Sequence, residues 1–130
     1  YPAVEGEPFG TLVSALDKDC NEISGVRLPD LQVPLGTHTG WALRHANIGG
    51  EGHFMPLQGS VIPFPRTETE KEEDGDPRDS IEKRYSSKDD YLTKIRSSAE
   101  SLAAERYILY EDIEGIVNGA SERWEAIQSQ

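Results

Sequence analysis

The chain has 130 residues, about the size of one domain, and its 13 Lys and Arg against 24 Asp and Glu give a formal net charge of -11. This acidic excess argues against binding to nucleic acid or anionic lipid, because phosphate groups attract basic surfaces. No apolar run approaches the roughly 20 residues of a membrane span, so we expect no membrane insertion. The chain starts at Tyr1 without an initiator Met, and we expect a processed chain or a fragment. A single cysteine excludes an internal disulfide, while the compartment and the oligomeric state stay open.

Residues 1–65 form a Gly- and Pro-rich half with seven of the eight prolines, nine of the twelve glycines and all three histidines. Frequent turn residues predict short strands and turns in this half. Residues 11–16 and 23–28 flank a polar run, which predicts a β-hairpin whose turn is built from Asx residues.

Further along this half the sequence predicts extended pieces joined by a loop. Residues 31–35 alternate apolar and polar positions, but Pro34 favours an edge strand or an extended arm. Residues 36–44 are predicted as another extended piece and 46–59 as a glycine-rich loop. Residues 61–65 are expected to be extended because they contain two prolines.

The second half of the chain is predicted to be helical. Residues 66–79 form a charged connection, which we expect to be a flexible surface loop or a frayed helix. In residues 80–130, Ser80 starts a short helix and Ser87 is a good N-cap for a longer one. Apolar residues at three- and four-residue spacing mark the longer helix: Tyr91, Leu92, Ile95, Ala99, Leu102 and Ala103.

A second apolar stripe follows a short link. It begins after Glu111 and Asp112, which open a further helix. Its members are Ile113, Ile116, Val117, Ala120, Trp124 and Ile127. Two amphipathic helices joined in this way predict a helical hairpin. The whole chain is therefore predicted to be a single α+β domain, with a small proline-interrupted antiparallel sheet or β-rich arm followed by a C-terminal helical hairpin.

Metal-binding patterns are incomplete in this sequence. The spacing of Asp17, Asp19 and Asn21 matches the first ligands of a calcium loop, but Glu22 and Leu28 occupy the positions where that loop needs glycine and glutamate. A simple turn is the favoured interpretation. The three histidines are seven and eight residues apart, and neither interval is the i, i+4 spacing of a helical zinc pair. We therefore expect no metal and no cofactor, and a metal-dependent enzyme using these histidines is the least favoured hypothesis.

The sequence contains no complete catalytic motif. A nucleophilic serine usually lies on a strand-to-helix elbow within Gly-x-Ser-x-Gly, and no such string occurs. Ser97, Ser98, Ser101 and Ser121 fall on predicted helices, and no phosphate-binding glycine loop is present. We predict no catalytic residue in this chain.

A binding surface is the remaining candidate site. The chain is dominated by carboxylates, and its only concentration of positive and aromatic groups is Arg27, His38, Trp41, Arg44, His45 and His53. An arginine pair could hold an acidic group by bidentate hydrogen bonds. The alternative is that the arginines pair with nearby acids and that Trp41 belongs to the core.

Five strings, in order, resemble one protein family. They are DKDCNEISGVRLP (17–29), VPLGTHTGW (33–41), GSVIPFPRT (59–67), RYSSKDDYL (84–92) and AERYIL (104–109) followed by Asp112. They resemble the region near the C-terminus of a bacterial family of uncharacterised proteins that carry an α/β-hydrolase domain. Cys20 departs from the pattern, because glycine is expected in the Asp-x-Asp-Gly-Asn turn.

The resemblance implies a serine hydrolase acting on esters, with its catalytic residues upstream of this segment. The chain would then be a C-terminal, non-catalytic segment whose partner is the remainder of its own hydrolase chain. Val61, Ile62 and Phe64 are expected to be exposed where the catalytic core would lie. Similar family members are often exported, which leaves an exported or periplasmic location open. The alternative hypothesis is a stand-alone binding or interaction module without chemistry.

Overall fold

The fold combines short antiparallel strand pairs with helices. The computed structural model describes Gly6, Gly10, 12–55 and 57–129. The elements are α1 (Pro29–Gln32), β1 (Gly36–Thr39), β2 (Ala42–Leu43), β3 (Phe54–Met55), β4 (Ser60–Pro63), α2 (Glu68–Asp74), α3 (Ile81–Arg84), α4 (Lys88–Ala104) and α5 (Ile113–Gln128). Two single turns of 3-10 helix occur at Ala46–Ile48 and Tyr110–Asp112. This architecture confirms the predicted α+β class.

Helices α4 and α5 pack against each other as the predicted helical hairpin. Ser87 caps α4, because its Oγ accepts a hydrogen bond from the backbone N–H of Asp90 at 3.1 Å. The buried core consists of Leu35, Phe64, Ile81, Tyr85, Tyr91, Ile95, Ala99, Ala103, Ile113, Val117 and Ala120. Both apolar stripes therefore face the core as predicted. None of the helices in the described ranges combines the length and the hydrophobicity needed to span a bilayer.

The four strands follow one another along a single interrupted hairpin, which we call the ribbon. Strand β1 pairs antiparallel with β4, and β2 pairs antiparallel with β3. Gly36 is required at its position, because a Cβ atom there would lie 2.6 Å from the carbonyl oxygen of Ile62. Beyond the paired strands, the N–H of Phe64 donates to the carbonyl of Leu35 at 3.0 Å, which leads the ribbon into the core. The ribbon is the small antiparallel sheet that the sequence predicts.

The hairpin predicted over 11–16 and 23–28 is much shorter than predicted. Thr11 lies outside the described residues, and the pairing consists of one isolated bridge, between Leu16 and Glu22 of the turn, and one hydrogen bond from the N–H of Ile23 to the carbonyl of Ala15 at 3.1 Å. The flanking apolar side chains stay exposed, so no burial favours a longer pairing. A two-stranded hairpin without a covered face is only marginally stable in water.

The extended piece predicted over 31–35 is also wrong in its first part, where helix α1 ends at Gln32. Pro29 stands at the first helical position, and its fixed φ suits a helix start. The N–H of Val33 donates to the carbonyl of Pro29 at 2.9 Å and closes the turn. Pro34 then prevents the helix from continuing.

The charged connection at 66–79 contains helix α2, which corresponds to the helical alternative for this segment. Thr67 caps its start by accepting a hydrogen bond from the N–H of Glu70 at 3.1 Å. Gly75 ends it in the left-handed conformation, with φ of 66°. Ion pairs such as Arg78 with Asp76, at 2.5 Å, follow the helix.

A buried ion pair joins the two halves of the chain. The carboxylate of Asp19 accepts two hydrogen bonds from the guanidinium of Arg84, at 2.8 Å and 2.5 Å. The guanidinium also lies over the ring of Phe64, 4.0 Å from its centroid. Phe64 is only 2% exposed, so the expectation that it would be exposed is wrong. The ring belongs to the hydrophobic core, and the guanidinium groups of Arg84 and Arg78 both lie over it.

Removing one member of this pair is expected to be costly. Asp19→Asn should lower the free energy of unfolding by about 3–5 kcal/mol, because it leaves the buried Arg84 guanidinium without its counter-charge. Glu114→Gln is the matched control, since Glu114 pairs with Arg96 at the surface. It should cost at most about 1 kcal/mol. Urea unfolding measures both, and equal effects would contradict the role assigned to the buried pair.

The turn beside this ion pair carries backbone strain. Cys20 adopts φ of 60°, the left-handed conformation that glycine tolerates best. The side chain of Cys20 is exposed, so its replacement removes no buried contact. Cys20→Gly should therefore raise the free energy of unfolding by about 1 kcal/mol relative to Cys20→Ala, which keeps a Cβ at the same position. Urea unfolding of the two variants checks this, and an equal or lower stability of the glycine variant would disprove it.

Candidate functional site

The six predicted binding residues lie in three different places. Arg27 is held by intramolecular contacts: its Nη2 donates to a carboxylate oxygen of Asp17 at 2.7 Å and to the carbonyl of Leu31 at 2.6 Å. Its Nε atom is buried without a hydrogen-bond partner among the described residues. These contacts fasten the turn to α1, and a role of Arg27 in ligand binding stays a prediction.

Four of the six residues lie along the β2–β3 part of the ribbon and the loop at its tip. Arg44 donates to the carbonyl of Gly49 at 2.8 Å and so holds the loop closed. The Nδ1 atom of His45 accepts from a backbone N–H two residues further on, at 3.2 Å. Trp41 and His53 are exposed. In the described ranges, no three or more His, Cys, Asp or Glu side chains are placed to hold a metal ion.

The sixth residue, His38, lies in β1 and lines a mostly apolar cleft. This cleft lies between the ribbon and helix α5 and has a volume of about 300 Å³. We call it the ribbon–helix cleft. Its ribbon side presents His38 and Val61, which are opposite each other in the β1–β4 register. Its helix side presents Ala126 and Ile127 of α5, and Leu35 also lines it.

An ion pair stands among the apolar side chains of the cleft. Arg123 of α5 donates through Nη2 to the carboxylate of Asp30 in α1, and both side chains are partly exposed. Tyr91 of α4 also lines the cleft, and its ring stacks on Trp124 at 5.2 Å between centroids. Burial raises the pKa of the Tyr91 hydroxyl to about 12. The hydroxyl therefore stays protonated near neutral pH and can donate a hydrogen bond.

The sequence did not reveal most of this cleft. Asp30 and Arg123 are 93 residues apart, and their partnership depends on how α1 packs near the C-terminal hairpin. Tyr91 and Ile127 do belong to the predicted apolar stripes, but Tyr91 is only 1% exposed and helical spacing does not mark either residue as part of a cleft. His38 was singled out for its residue type alone.

A second feature of the ribbon is a set of exposed apolar side chains. We call them the apolar arm, and they are Trp41, Leu43, Phe54, Leu57 and Ile62. Trp41 and Phe54 pack edge to face at 5.6 Å between ring centroids, so the arm has a defined shape. Val61 and Ile62 are 52% and 45% exposed, as expected for both.

The described residues hold no recognisable catalytic constellation. Ser97, Ser98 and Ser101 lie within α4 and Ser121 within α5, where a serine has no strand-to-helix elbow. Each sheet among the described residues consists of two antiparallel strands. These residues therefore contain no parallel sheet that could carry such an elbow.

The comparisons with known proteins place the chain in a family. A family model described as an alpha/beta hydrolase domain matches residues 3–118, which is most of the chain. The chain belongs to the alpha/beta hydrolase domain family. This confirms the resemblance to α/β-hydrolase proteins, while a bacterial origin stays a prediction. No curated protein and no solved structure matches the chain.

The environment of His38 predicts a pH effect on the stability of this family member. Burial lowers the pKa of His38 below its ordinary value, and the charge of Arg123 adds to this while Asp30 opposes it. The unfolded chain therefore binds more protons than the folded chain between the folded pKa and the ordinary value of about 6.5. The contribution of neutral His38 to the free energy of unfolding is therefore complete above about pH 6.5 and is lost as the pH falls through the pKa of His38 in the folded chain.

NMR titration of the imidazole should give a pKa for His38 below about 6.5. When urea unfolding is measured at pH 7 and at pH 5, the free energy of unfolding should fall less between the two pH values in His38→Gln than in the unchanged chain. A normal or raised imidazole pKa, or an equal loss in both proteins, would contradict this assignment.

Proposed function

We propose that the chain is a non-catalytic segment of a serine esterase-like α/β-hydrolase, which packs against the catalytic core and has no activity alone. The family match over residues 3–118 supports the connection to hydrolases. The absence of a catalytic constellation from the described residues supports a non-catalytic role. The observation that carries the packing argument is the uneven distribution of exposed apolar side chains.

The exposed apolar surface is concentrated in the Gly- and Pro-rich half. Among the described residues, thirteen of the sixteen large apolar side chains that are exposed belong to 12–62, and three belong to the link between α4 and α5. Extended apolar patches on a protein surface usually mark interaction sites. The apolar arm is the best-formed part of this surface, because the β2–β3 pairing and the contact between Trp41 and Phe54 hold it in shape.

The charge distribution also supports a docking surface in the Gly- and Pro-rich half. Residues 66–130 contain seventeen Asp and Glu and ten Lys and Arg, whereas 1–65 contain seven and three. Charged side chains are costly to desolvate without good partners, so a highly charged surface favours contact with water. In this arrangement the ribbon side faces the catalytic core and the outer surfaces of the helices face solvent.

A stand-alone binding module is the second candidate, and the ribbon–helix cleft favours it. The cleft has a volume of about 300 Å³, which lies at the lower end of the range for small-molecule sites. The helical half also has its own buried core around Ile95, Ala99 and Ala120, each 0% exposed. Such a module needs no catalytic core.

Two measurements separate these functions. A fluorophosphonate probe should not label the isolated chain, because we place the nucleophilic serine elsewhere. In the second measurement, the chain is added in trans to the catalytic region of a longer member of this family from which the equivalent of residues 3–118 has been removed. Binding and a gain in ester hydrolysis are expected, and failure to bind would favour the stand-alone module.

A matched pair of variants tests the docking surface. Phe54→Ser should weaken binding to the catalytic region about tenfold or more, because a buried aromatic anchor contributes about 2 kcal/mol or more. Tyr110→Ser is the control, since Tyr110 is 67% exposed and Phe54 69% but Tyr110 lies in the link between the long helices. Equal losses, or a larger loss for Tyr110→Ser, would show that the apolar arm is not the docking surface.

A further inference from the structure

The ribbon–helix cleft and the apolar arm lie on different sides of the ribbon. Successive residues of a strand point to opposite faces. In β4, Val61 lines the ribbon–helix cleft, and its neighbour Ile62 belongs to the apolar arm. A ligand in the cleft therefore does not need the surface that we propose for docking, and the following inference does not rest on the proposed function.

The walls and the charged pair of the cleft define the chemistry of a suitable ligand. The walls are apolar, with Leu35, Val61 and Ile127 among them, and Tyr91 adds an aromatic ring. The pair of Asp30 and Arg123 offers one acceptor and one donor group and carries no net charge. A carboxylate ligand would meet Asp30 and a chain with a net charge of -11, which disfavours an anion. A neutral ligand with one polar group fits this arrangement best.

The size of the cleft limits the ligand to a small molecule. An apolar cavity of roughly 150 Å³ inside a protein is large enough to bind benzene. The ribbon–helix cleft, at about 300 Å³, has room for one such ring and a short substituent. Its open side also lets the substituent reach the partly exposed Asp30 and Arg123 side chains.

We propose that the ribbon–helix cleft binds a small neutral alcohol with an aromatic ring. The ring packs between Val61 of the ribbon and Ile127 of α5. The hydroxyl group donates to the carboxylate of Asp30 and accepts from the guanidinium of Arg123. The imidazole of His38 is neutral near pH 7, because burial lowers its pKa, so it adds no charge beside the ring.

Titration of the isolated chain with three ring compounds tests the site. Benzyl alcohol should shift the backbone NMR signals of Gly36, His38 and Val61 in a saturable way. Toluene lacks the hydroxyl and should bind roughly two- to tenfold more weakly, the factor expected for one hydrogen bond. Benzoate should bind more weakly than either. No saturable shift with benzyl alcohol, or tighter binding of benzoate, overturns the proposal.

Two variants place the ligand in the cleft. Ala126→Trp fills the cleft from the exposed surface of α5 and should abolish binding of benzyl alcohol. Ala104→Trp is its matched control at an exposed alanine of α4 that does not line the cleft, and it should leave binding unchanged. Arg123→Gln should reduce the affinity for benzyl alcohol towards that for toluene. Unchanged binding in Ala126→Trp or in Arg123→Gln overturns the proposal.

The same variants distinguish a free ligand from a protein occupant. Ala126→Trp should leave binding of the chain to the hydrolase catalytic region unchanged; if binding of that region to the unchanged chain instead displaces benzyl alcohol, a side chain of the region occupies the cleft, and the proposal of a free ligand is overturned. If Ala126→Trp loses only the alcohol and Phe54→Ser loses only the catalytic region, the two surfaces act separately. Failure of either proposal is therefore visible without failure of the other.

Discussion

The buried ion pair between Asp19 and Arg84 is the interaction on which the rest of the structure depends. It fastens the turn after Leu16, in a segment with little regular structure, to α3 next to the helical core. The same arginine covers Phe64, which follows β4, so one side chain connects the turn, the ribbon and the helical half. A second arginine, Arg78, ties the ribbon to the segment before α3, because it donates to the Thr37 hydroxyl at 2.9 Å and to the carbonyl oxygens of Ile62 and Pro63 at 3.0 and 3.1 Å.

The helical half was predictable because its signals are local. The caps at Ser80 and Ser87 and the i, i+3 and i, i+4 stripes require only neighbouring residues, and each appears in the structure as expected. The Gly- and Pro-rich half was less predictable, because a strand depends on a distant partner and on something that covers its face. The segments at 11–16 and 23–28 lack such a cover among the described residues, so their pairing is limited to one bridge and one adjacent backbone hydrogen bond.

The arrangement of the candidate site also could not be predicted from local sequence signals. His38 could be singled out from its residue type, and Tyr91 and Ile127 from their helical spacing. Their meeting in one cleft depends on the β1–β4 register and on the packing of α5 beside the ribbon, which no short motif encodes. The pair of Asp30 and Arg123 spans 93 residues and follows from the same packing. Sequence alone could supply the members of the site, and only the fold supplies their arrangement.

The ribbon also explains how one small segment can present two surfaces with different chemistry. Gly36 permits the backbone of β1 to approach β4 closely, because a Cβ there would lie 2.6 Å from the Ile62 carbonyl oxygen. This close pairing fixes the register that places Val61 in the ribbon–helix cleft and Ile62 on the opposite side of the ribbon, in the apolar arm. A slip of one residue would exchange the two faces and move every side chain of β4 to the wrong side. The geometry of the cleft and the exposure of the apolar arm are therefore consequences of one constraint, the register of the β1–β4 pair.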